Sequence, residues 1–292
     1  MTNLIDGRAF ARQVHTETAS RIGDLARRGV QPGLLFIRVG EDPASQVYVG
    51  MKEKKAAELG IHSETLVLPQ STSEQSLLEL IKAANHDSRW HGILVQAPLP
   101  RGIDAARVFS QVDPRKDVDG FHPLNAGRLL LGETDGFTPC TPAGVQELLV
   151  RSGTRTEGAE VVILGRGNIV GKPLASLLMQ RGTRANGTVT IVHSASRDIE
   201  SHCRRADILV AAMGAPEFVR GSMVKPGAVV IDVGVNRVSD SMTGISRLVG
   251  DVAFAEVQPI AGKITPNPGG VGPMTIAMLM ANTVKAAELL SA

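Results

Sequence analysis

The sequence predicts an α/β fold with two domains, each built on a parallel β-sheet with helices on both faces. Three observations lead to this prediction. Short apolar runs alternate with helical patterns along the chain, which is typical of strands joined by crossover helices. The runs are apolar throughout rather than at alternate positions, as expected for strands that are buried on both faces. A stretch rich in turn residues, 114–136, divides the alternation into two series.

The first series reads strand, helix, strand, helix, strand. In chain order its segments are GLLFIRVG, PASQVYVGMKEKKAAELG, ETLVLP, STSEQSLLELIKAANHD and HGILVQAPLP. Ser71 and Glu74 have the spacing of a capping box, which predicts that the second helix starts at Ser71. Ligands of parallel sheets bind beyond the carboxyl ends of the strands. Tyr48 and Lys52, on the first helix, and Gln96, at the end of the third strand, therefore lie where a site is expected.

The second series begins near residue 138. Its first helix lies in TPCTPAGVQELLVRSG, where Thr141 is expected to be the cap and Pro142 suits the first turn. Strands follow in VVILG, TVTIVH, ADILVAA and AVVIDVGV. The last helix, GPMTIAMLMANTVKAAELL, is apolar over much of its surface and is expected to pack on the first domain. The predicted domains are 1–138 with 274–292, and 139–273.

Composition narrows the class of protein. The 31 Lys and Arg residues nearly balance the 29 Asp and Glu residues, so no overall basic field points to nucleic acid. The two cysteines, Cys140 and Cys203, lack metal-binding spacing and are too few for a disulfide scaffold. The seven histidines also lack ligand spacing, so no metal is expected. With neither a signal-peptide core nor an apolar run of membrane-span length, a cytoplasmic protein without membrane contact is expected.

Glycines mark the turn after the first strand of the second series. Gly165, Gly167 and Gly171 follow VVIL with Gly-x-Gly-x-x-x-Gly spacing and precede a helix. Such a turn lets the backbone approach a pyrophosphate, and the helix N-terminus supplies amide donors. The pattern predicts dinucleotide binding. The alternative is a tight strand-to-helix turn without a ligand.

The end of the next strand favours NADP over NAD. An acidic residue there would accept from the ribose hydroxyls, whereas a cation suits a 2′-phosphate. Here Ser194 and Arg197 precede the first carboxylate, Asp198, and Arg166 lies in the glycine turn. The alternative is that Asp198 caps the following helix and the arginines are solvated.

Three further groups of residues could form a site. Tyr48 and Lys52 are four positions apart and share a helix face, although most such pairs are solvated surface. Asp117 and Asp119 flank one valine and would share a side in an extended segment, or form a surface turn. The glycines of TPNPGGVGPMT suit close approach to a flat ligand, or a stiff turn between domains.

Together these motifs resemble the bifunctional methylenetetrahydrofolate dehydrogenase/cyclohydrolase family across essentially the whole chain. The matching pieces, in the family's order, are SQVYVGMK, GILVQAPLP, KDVDGFHPLNAGRL, FTPCTPAG, GRGNIVGKP, VVIDVGVNR and PNPGGVGPMTIAML. The resemblance implies an N-terminal folate-binding catalytic domain and a Rossmann-type NADP-binding domain, with the C-terminal helix returning to the first. It also implies oxidation of 5,10-methylenetetrahydrofolate with NADP, then hydrolysis of the methenyl product to 10-formyltetrahydrofolate.

The resemblance also implies residue roles. Lys52 would be the general acid/base, oriented by Gln96, with Tyr48 packed on the folate rings and Asp119 holding the pterin. The implied cofactor-binding residues are Gly165, Arg166, Gly167, Ser194, Arg197 and Val235, and the implied folate loop is Pro268, Gly269 and Gly270. The resemblance also implies a cytoplasmic homodimer, which is usual in the family.

Two departures from the family pattern concern the ligand loops. Gly167 stands where the family usually has serine, which removes a hydroxyl that could bond phosphate. Asn267 stands where the family usually has valine, beside the folate loop. Two other functions remain open, a shikimate-type two-domain dehydrogenase and a folate- or nucleotide-binding protein without catalysis.

Overall fold

A computed structural model describes residues 4–239 and 246–292. The chain forms two compact units. One, the 12–140 unit, combines Arg12–Cys140 with Ile276–Ala292; the other, the 141–275 unit, combines Met1–Ala11 with Thr141–Thr275. Each unit contains a parallel sheet, which confirms the α/β class.

The first stretch of chain supplies a three-stranded sheet and five helices. The strands are β1 (Gly33–Val39), β2 (His62–Leu68) and β3 (Gly92–Val95), all parallel and ordered β2-β1-β3. The helices are α1 (Gly7–Arg27), α2 (Pro43–Leu59), α3 (Glu74–His86), α4 (Ala105–Gln111) and α5 (Pro123–Leu131). All three strands predicted from apolar runs are confirmed; β1 and β3 are almost fully buried, whereas β2, at an edge of the sheet, is half-buried or exposed along its length.

The two faces of β1 pack in different cores. Leu34 and Phe36 belong to one core, together with Leu279 of the C-terminal helix α10 (Val271–Leu290). Leu35 and Ile37 belong to the other, with residues of α3. Full burial of each such side chain stabilises the folded state by about 1.5–3 kcal/mol. The contribution of α10 confirms that the C-terminal helix returns to the first part of the chain.

The 141–275 unit contains a five-stranded parallel sheet. In chain order its elements are α6 (Cys140–Arg151), β4 (Glu160–Leu164), α7 (Gly171–Leu178), β5 (Thr188–Val192), α8 (Ile199–Arg204), β6 (Ile208–Ala211), β7 (Val229–Asp232), β8 (Asn236–Ser239), β9 (Ser246–Val249), α9 (Phe254–Val257) and β10 (Lys263–Ile264). The sheet order is β10-β7-β6-β4-β5, and β8 pairs with β9 in antiparallel fashion. Strand order reverses at β4, which leads to β5 on one side and to β6 on the other. The crevice at such a reversal is where nucleotides bind in sheets of this kind.

Two predicted helix starts are wrong. The cap of α3 is Ser73, whose hydroxyl accepts from Ser76 N at 3.1 Å, so the helix starts three residues after Ser71. Glu74 cannot close a capping box, because its carboxylate accepts from the backbone of Asp104 instead. Similarly, α6 begins at Cys140, and Thr141 is already helical.

Two features of the described ranges, 4–239 and 246–292, bear on function. No helix there combines the length and apolar character needed to cross a membrane. No three His, Cys, Asp or Glu side chains there form a group that could hold a metal ion.

Candidate active site

Helix α2 carries Tyr48 and Lys52. It begins at a cap formed by Asp42, whose carboxylate accepts from Ser45 N at 2.7 Å, and ends at Gly60 in the left-handed conformation (φ 80°). Caps at both ends fix the length and register of the helix. Tyr48 and Lys52 are therefore held one turn apart on one face.

Lys52 is buried and hydrogen-bonded to Gln96. Its side chain is 8% exposed, and its Nζ donates to Gln96 Oε1 at 3.0 Å. Gln96 follows β3 directly, with its backbone N bonded to Ile37 O at 2.8 Å and its Nε2 donating to Ala97 O at 2.6 Å. The amide is thus oriented with its oxygen towards the ammonium. An ammonium has three donors, so Lys52 can still bind another group.

Asp119 faces the same ammonium. Burial raises the pKa of Asp119, whereas the charge of Lys52 acts in the opposite direction. The nearby Cys140 thiol donates to Val118 O at 3.3 Å. Burial, followed by the charge of Asp119, raises the pKa of Cys140 well above its ordinary value, so the thiol keeps its proton. The carboxylate of Asp119 can accept hydrogen bonds from a ligand edge that carries several donors.

Asp117 has a different role from Asp119. Its carboxylate is 4% exposed and accepts from Phe121 N at 3.1 Å, His122 N at 2.8 Å and Asn125 Nδ2 at 2.8 Å. Burial raises the pKa of Asp117 to about 7, although these hydrogen bonds lower it. Asp117 therefore holds the turn together, which was the alternative left open by the sequence.

The position of Asp119 is fixed from both sides. Gly120 has φ 77°, and a Cβ there would lie 2.6 Å from Pro139 N, so a glycine is required. On the other side, Asn282 of α10 donates to Val118 O at 2.8 Å. The C-terminal helix therefore holds the backbone that presents Asp119.

Tyr48 is half-buried, and burial raises the pKa of its phenol above the ordinary value. A phenol in this state stays protonated at neutral pH. Tyr48 can donate a hydrogen bond or pack against a ring, but it is poorly suited to act as a base.

In the other unit, the glycine turn after β4 is tightly packed at two of its three glycines. Gly165 has φ 118°, and a Cβ there would lie 2.2 Å from Ala212 O. A Cβ at Gly171 would lie 2.1 Å from Gly165 O, whereas one at Gly167 would meet no atom within 4 Å. The missing side chains bring the carboxyl ends of β4 and β6 together and leave space at Gly167. This arrangement fits a cradle for a pyrophosphate.

The glycine turn and the loop after β5 each carry an exposed arginine. Arg166 and Arg197 are exposed, and neither forms an ion pair with any residue in the described part of the chain. Arg166 Nη1 lies 3.3 Å from His193 Nε2, and Ser194 is exposed nearby in the sequence. Asp198 caps α8, with its Oδ1 accepting from Ser201 N at 3.2 Å. The two open cations suit a phosphate better than a pair of ribose hydroxyls.

The remaining predicted residues lie on two loops of the same unit. Val235 follows β7 and its side chain is 50% exposed. Pro268 is exposed, and Gly269 has φ 115°. A Cβ at Gly270 would lie 2.7 Å from Pro266 O, so this segment requires glycine on geometric grounds alone.

Sequence reasoning missed two buried aspartates that organise these loops. Asp251 is fully buried, and its Oδ2 accepts from Met213 N at 2.8 Å and Gly214 N at 3.0 Å, just after β6. Asp232 ends β7, and its Oδ1 accepts from Gly234 N at 3.1 Å and Asp251 N at 2.9 Å. The available signal was a carboxylate at the end of an apolar run, in VVID and RLVGD.

Comparison with known proteins identifies the family. The catalytic-domain model of tetrahydrofolate dehydrogenase/cyclohydrolase matches residues 5–119, and the NAD(P)-binding-domain model of the same family matches residues 139–291. The chain belongs to the tetrahydrofolate dehydrogenase/cyclohydrolase family. This membership decides against a shikimate-type dehydrogenase.

Individual members of the tetrahydrofolate dehydrogenase/cyclohydrolase family match over nearly their full length. The bifunctional protein FolD of Syntrophobacter fumaroxidans is 53% identical over 287 residues, covering 98% of this chain and 97% of the relative. The crystal structure of FolD from Campylobacter jejuni has a TM-score of 0.94 at 43% identity, covering 99% of this chain and 100% of the other. The Trypanosoma brucei enzyme, solved with NADP and an inhibitor, has a TM-score of 0.93 at 41% identity, with 99% and 98% covered.

Proposed function

We propose that this protein oxidises 5,10-methylenetetrahydrofolate to 5,10-methenyltetrahydrofolate with NADP and hydrolyses the methenyl compound to 10-formyltetrahydrofolate. The observation that carries the proposal is the buried Lys52–Gln96 hydrogen bond beside Asp119, in a chain of this family. Residues 1–138 with 274–292 form the proposed folate-binding catalytic domain, and residues 139–273 form the proposed NADP-binding domain.

The glycine turn and the loop after β5 are the proposed NADP site. The missing side chain at Gly167 leaves space for the pyrophosphate, the one at Gly165 lets the turn pack on the end of β6, and the exposed guanidinium of Arg197 suits the 2′-phosphate. The other proposed NADP-binding residues are Arg166, Ser194 and Val235. NADP, when bound, supplies the hydride acceptor for the first reaction.

In the first reaction the protein's side chains take little part in making or breaking bonds. The carbon that loses hydride is already electron-poor, so its orientation and the exclusion of water dominate the rate. Asp119 accepts hydrogen bonds from the amino and ring nitrogens of the pterin, and Tyr48 packs against the ring system. Pro268, Gly269 and Gly270 complete the proposed folate contacts.

The second reaction requires a proton carrier. Water adds to the cationic methenyl carbon, and the oxygen must lose a proton as the new bond forms. The neutral amine form of Lys52 takes that proton and becomes the ammonium, while an N–H of the same nitrogen donates to Gln96, which keeps the nitrogen directed at the water. A dimer of identical chains in the cytoplasm is the proposed setting.

The testing experiment follows absorbance during turnover of 5,10-methylenetetrahydrofolate with NADP and, separately, with NAD. Formation of NADPH without lasting accumulation of the methenyl compound supports both activities. Accumulation of the methenyl compound would remove the hydrolytic half of the proposal. Absence of turnover with either cofactor would leave a binding protein without catalysis.

A further inference from the structure

Asn267 connects two loops of the 141–275 unit. Its Nδ2 donates to Gly234 O, in the loop after β7, while its own backbone leads into Pro268 and Gly269. The same amide acts on Asp232. Burial raises the pKa of Asp232 to about 6, and the hydrogen bond from Asn267 lowers it.

The surroundings of Asn267 leave space for this amide. A Cβ at Gly250 would lie 1.5 Å from Asp232 Oδ2 and 2.6 Å from Asn267 Nδ2, so any larger residue would displace the contact. A Cβ at Gly234 would collide with Asp251, at 2.2 Å from its Oδ1. The missing side chain at Gly250 thus lets the Asn267 amide lie beside Asp232 while it donates to a backbone carbonyl.

The joined loops carry the proposed ligand contacts of the two reactants. Gly234 directly precedes Val235, on the nicotinamide side of the proposed cofactor site, and Asn267 directly precedes the proposed folate loop. A side chain that ties the two loops restricts each loop to positions compatible with the other. A valine side chain at this position would have no donor and could not form the tie.

We propose that Asn267 is a positioning residue that couples folate binding to NADP binding by tying the Pro268–Gly270 loop to the Val235 loop. The inference rests on the proposed function. A ligand that orders one loop also orders the other, so the second ligand binds to a chain with less freedom left to lose. The coupling is reciprocal, and each ligand tightens the other by the same factor.

The test measures the dissociation constant of NADP for the full-length protein, with and without saturating tetrahydrofolate, in wild type and Asn267→Val. The ratio of the two constants is the coupling factor. We expect this factor to fall about fivefold in the variant, the lower end of typical coupling between sites. The affinity for NADP alone should change by less than about twofold, because the variant removes no proposed NADP contact.

Thr156→Val is the matched control. It removes another buried side-chain hydrogen bond of the same unit, from Thr156 Oγ1 to Ala185 O at 2.9 Å, without touching either loop. It should lower the unfolding temperature while leaving the coupling factor unchanged. If Asn267→Val fails to fold, Asn267→Ala is measured in its place.

An unchanged coupling factor in the Asn267 variant, or a wild-type factor of one, would overturn the inference. Either result can occur in an enzyme that turns over methylenetetrahydrofolate normally. Failure of wild-type turnover would instead count against the proposed function, so the two failures are distinguishable.

Discussion

Replacing Gln96 with leucine tests the central contact of the proposed catalytic site. Leucine approximates the size of glutamine but cannot accept the hydrogen bond that Lys52 donates at 3.0 Å. A hydrogen bond to a charged group contributes about 1.5–3 kcal/mol. If that bond orients Lys52 when water attacks, losing it lowers kcat for methenyltetrahydrofolate hydrolysis by about 10- to 150-fold.

The assay follows the loss of methenyl absorbance after addition of the purified protein. Binding of NADP should be unchanged in Gln96→Leu, because the proposed NADP residues belong to the 141–275 unit. Gln31→Leu serves as the control. It removes an exposed glutamine that donates to Gly60 O at 3.4 Å, away from Lys52.

Hydrolysis at the wild-type rate in Gln96→Leu would refute the assignment of Gln96 as the group that orients Lys52. A lower rate accompanied by loss of the folded state would not count as support, so thermal unfolding is measured on the same sample. A folded variant with slow hydrolysis and intact NADP binding is the expected outcome.

Four further predictions follow from the same structure. Lys52→Met should reduce methenyl hydrolysis by at least about a hundredfold, the usual contribution of a general acid or base, with NADP binding retained; hydrolysis at the normal rate would remove Lys52 from that role. Arg197→Ala should weaken NADP by about tenfold and NAD much less, because only NADP carries the 2′-phosphate; equal losses measured by titration would place Arg197 outside the site. Gly167→Ser should tighten NADP by about two- to tenfold, since a Cβ there meets no atom and the added hydroxyl can bond phosphate; unchanged affinity would show that the hydroxyl does not reach it. Asp117 has a folded-state pKa of about 7 against an ordinary 3.8, so its protonated form favours folding and its stabilising contribution is lost as pH rises through about 7. The free energy of unfolding measured from pH 5 to 8 should therefore fall more in wild type than in Asp117→Asn, by up to about 3 kcal/mol, since about two pH units of the shifted range lie in that window; parallel slopes would show that this carboxyl does not titrate in that range.

Apart from the two-residue β10, the strands of the two parallel sheets could be predicted because their signal is local. A strand buried on both faces must be apolar at every position, as in Leu34–Ile37, and no distant residue is needed to recognise it. Helix α1 carries no comparable signal. Its buried positions include the polar Thr18 alongside Val14 and Leu25, so apolar periodicity is weak although the helix is 21 residues long.

The residues of the candidate site could be found by type and place, but their division of roles could not. Asp117 and Asp119 look equivalent in the sequence, two carboxylates flanking one valine. The chain turns at Gly120 and brings the amides of Phe121 and His122 onto Asp117, which leaves Asp119 to face Lys52. The distinction depends on a left-handed glycine and on backbone atoms, and neither is visible in residue types alone.

The carboxylates behind the proposed cofactor loops also depend on contacts that residue types do not reveal. Asp251 accepts from Met213, 38 residues away, and Asp232 accepts from Asp251, 19 residues away. A buried carboxylate is costly unless several donors surround it, and here most of the donors are backbone amides that any sequence supplies. What the sequence does carry is the absence of side chains at Gly234 and Gly250, which is the space those carboxylates occupy. A glycine that follows a strand therefore indicates different kinds of approach, by the backbone carbonyl of Ala212 at Gly165 and by a carboxylate at Gly234, and only the packing around each glycine separates them.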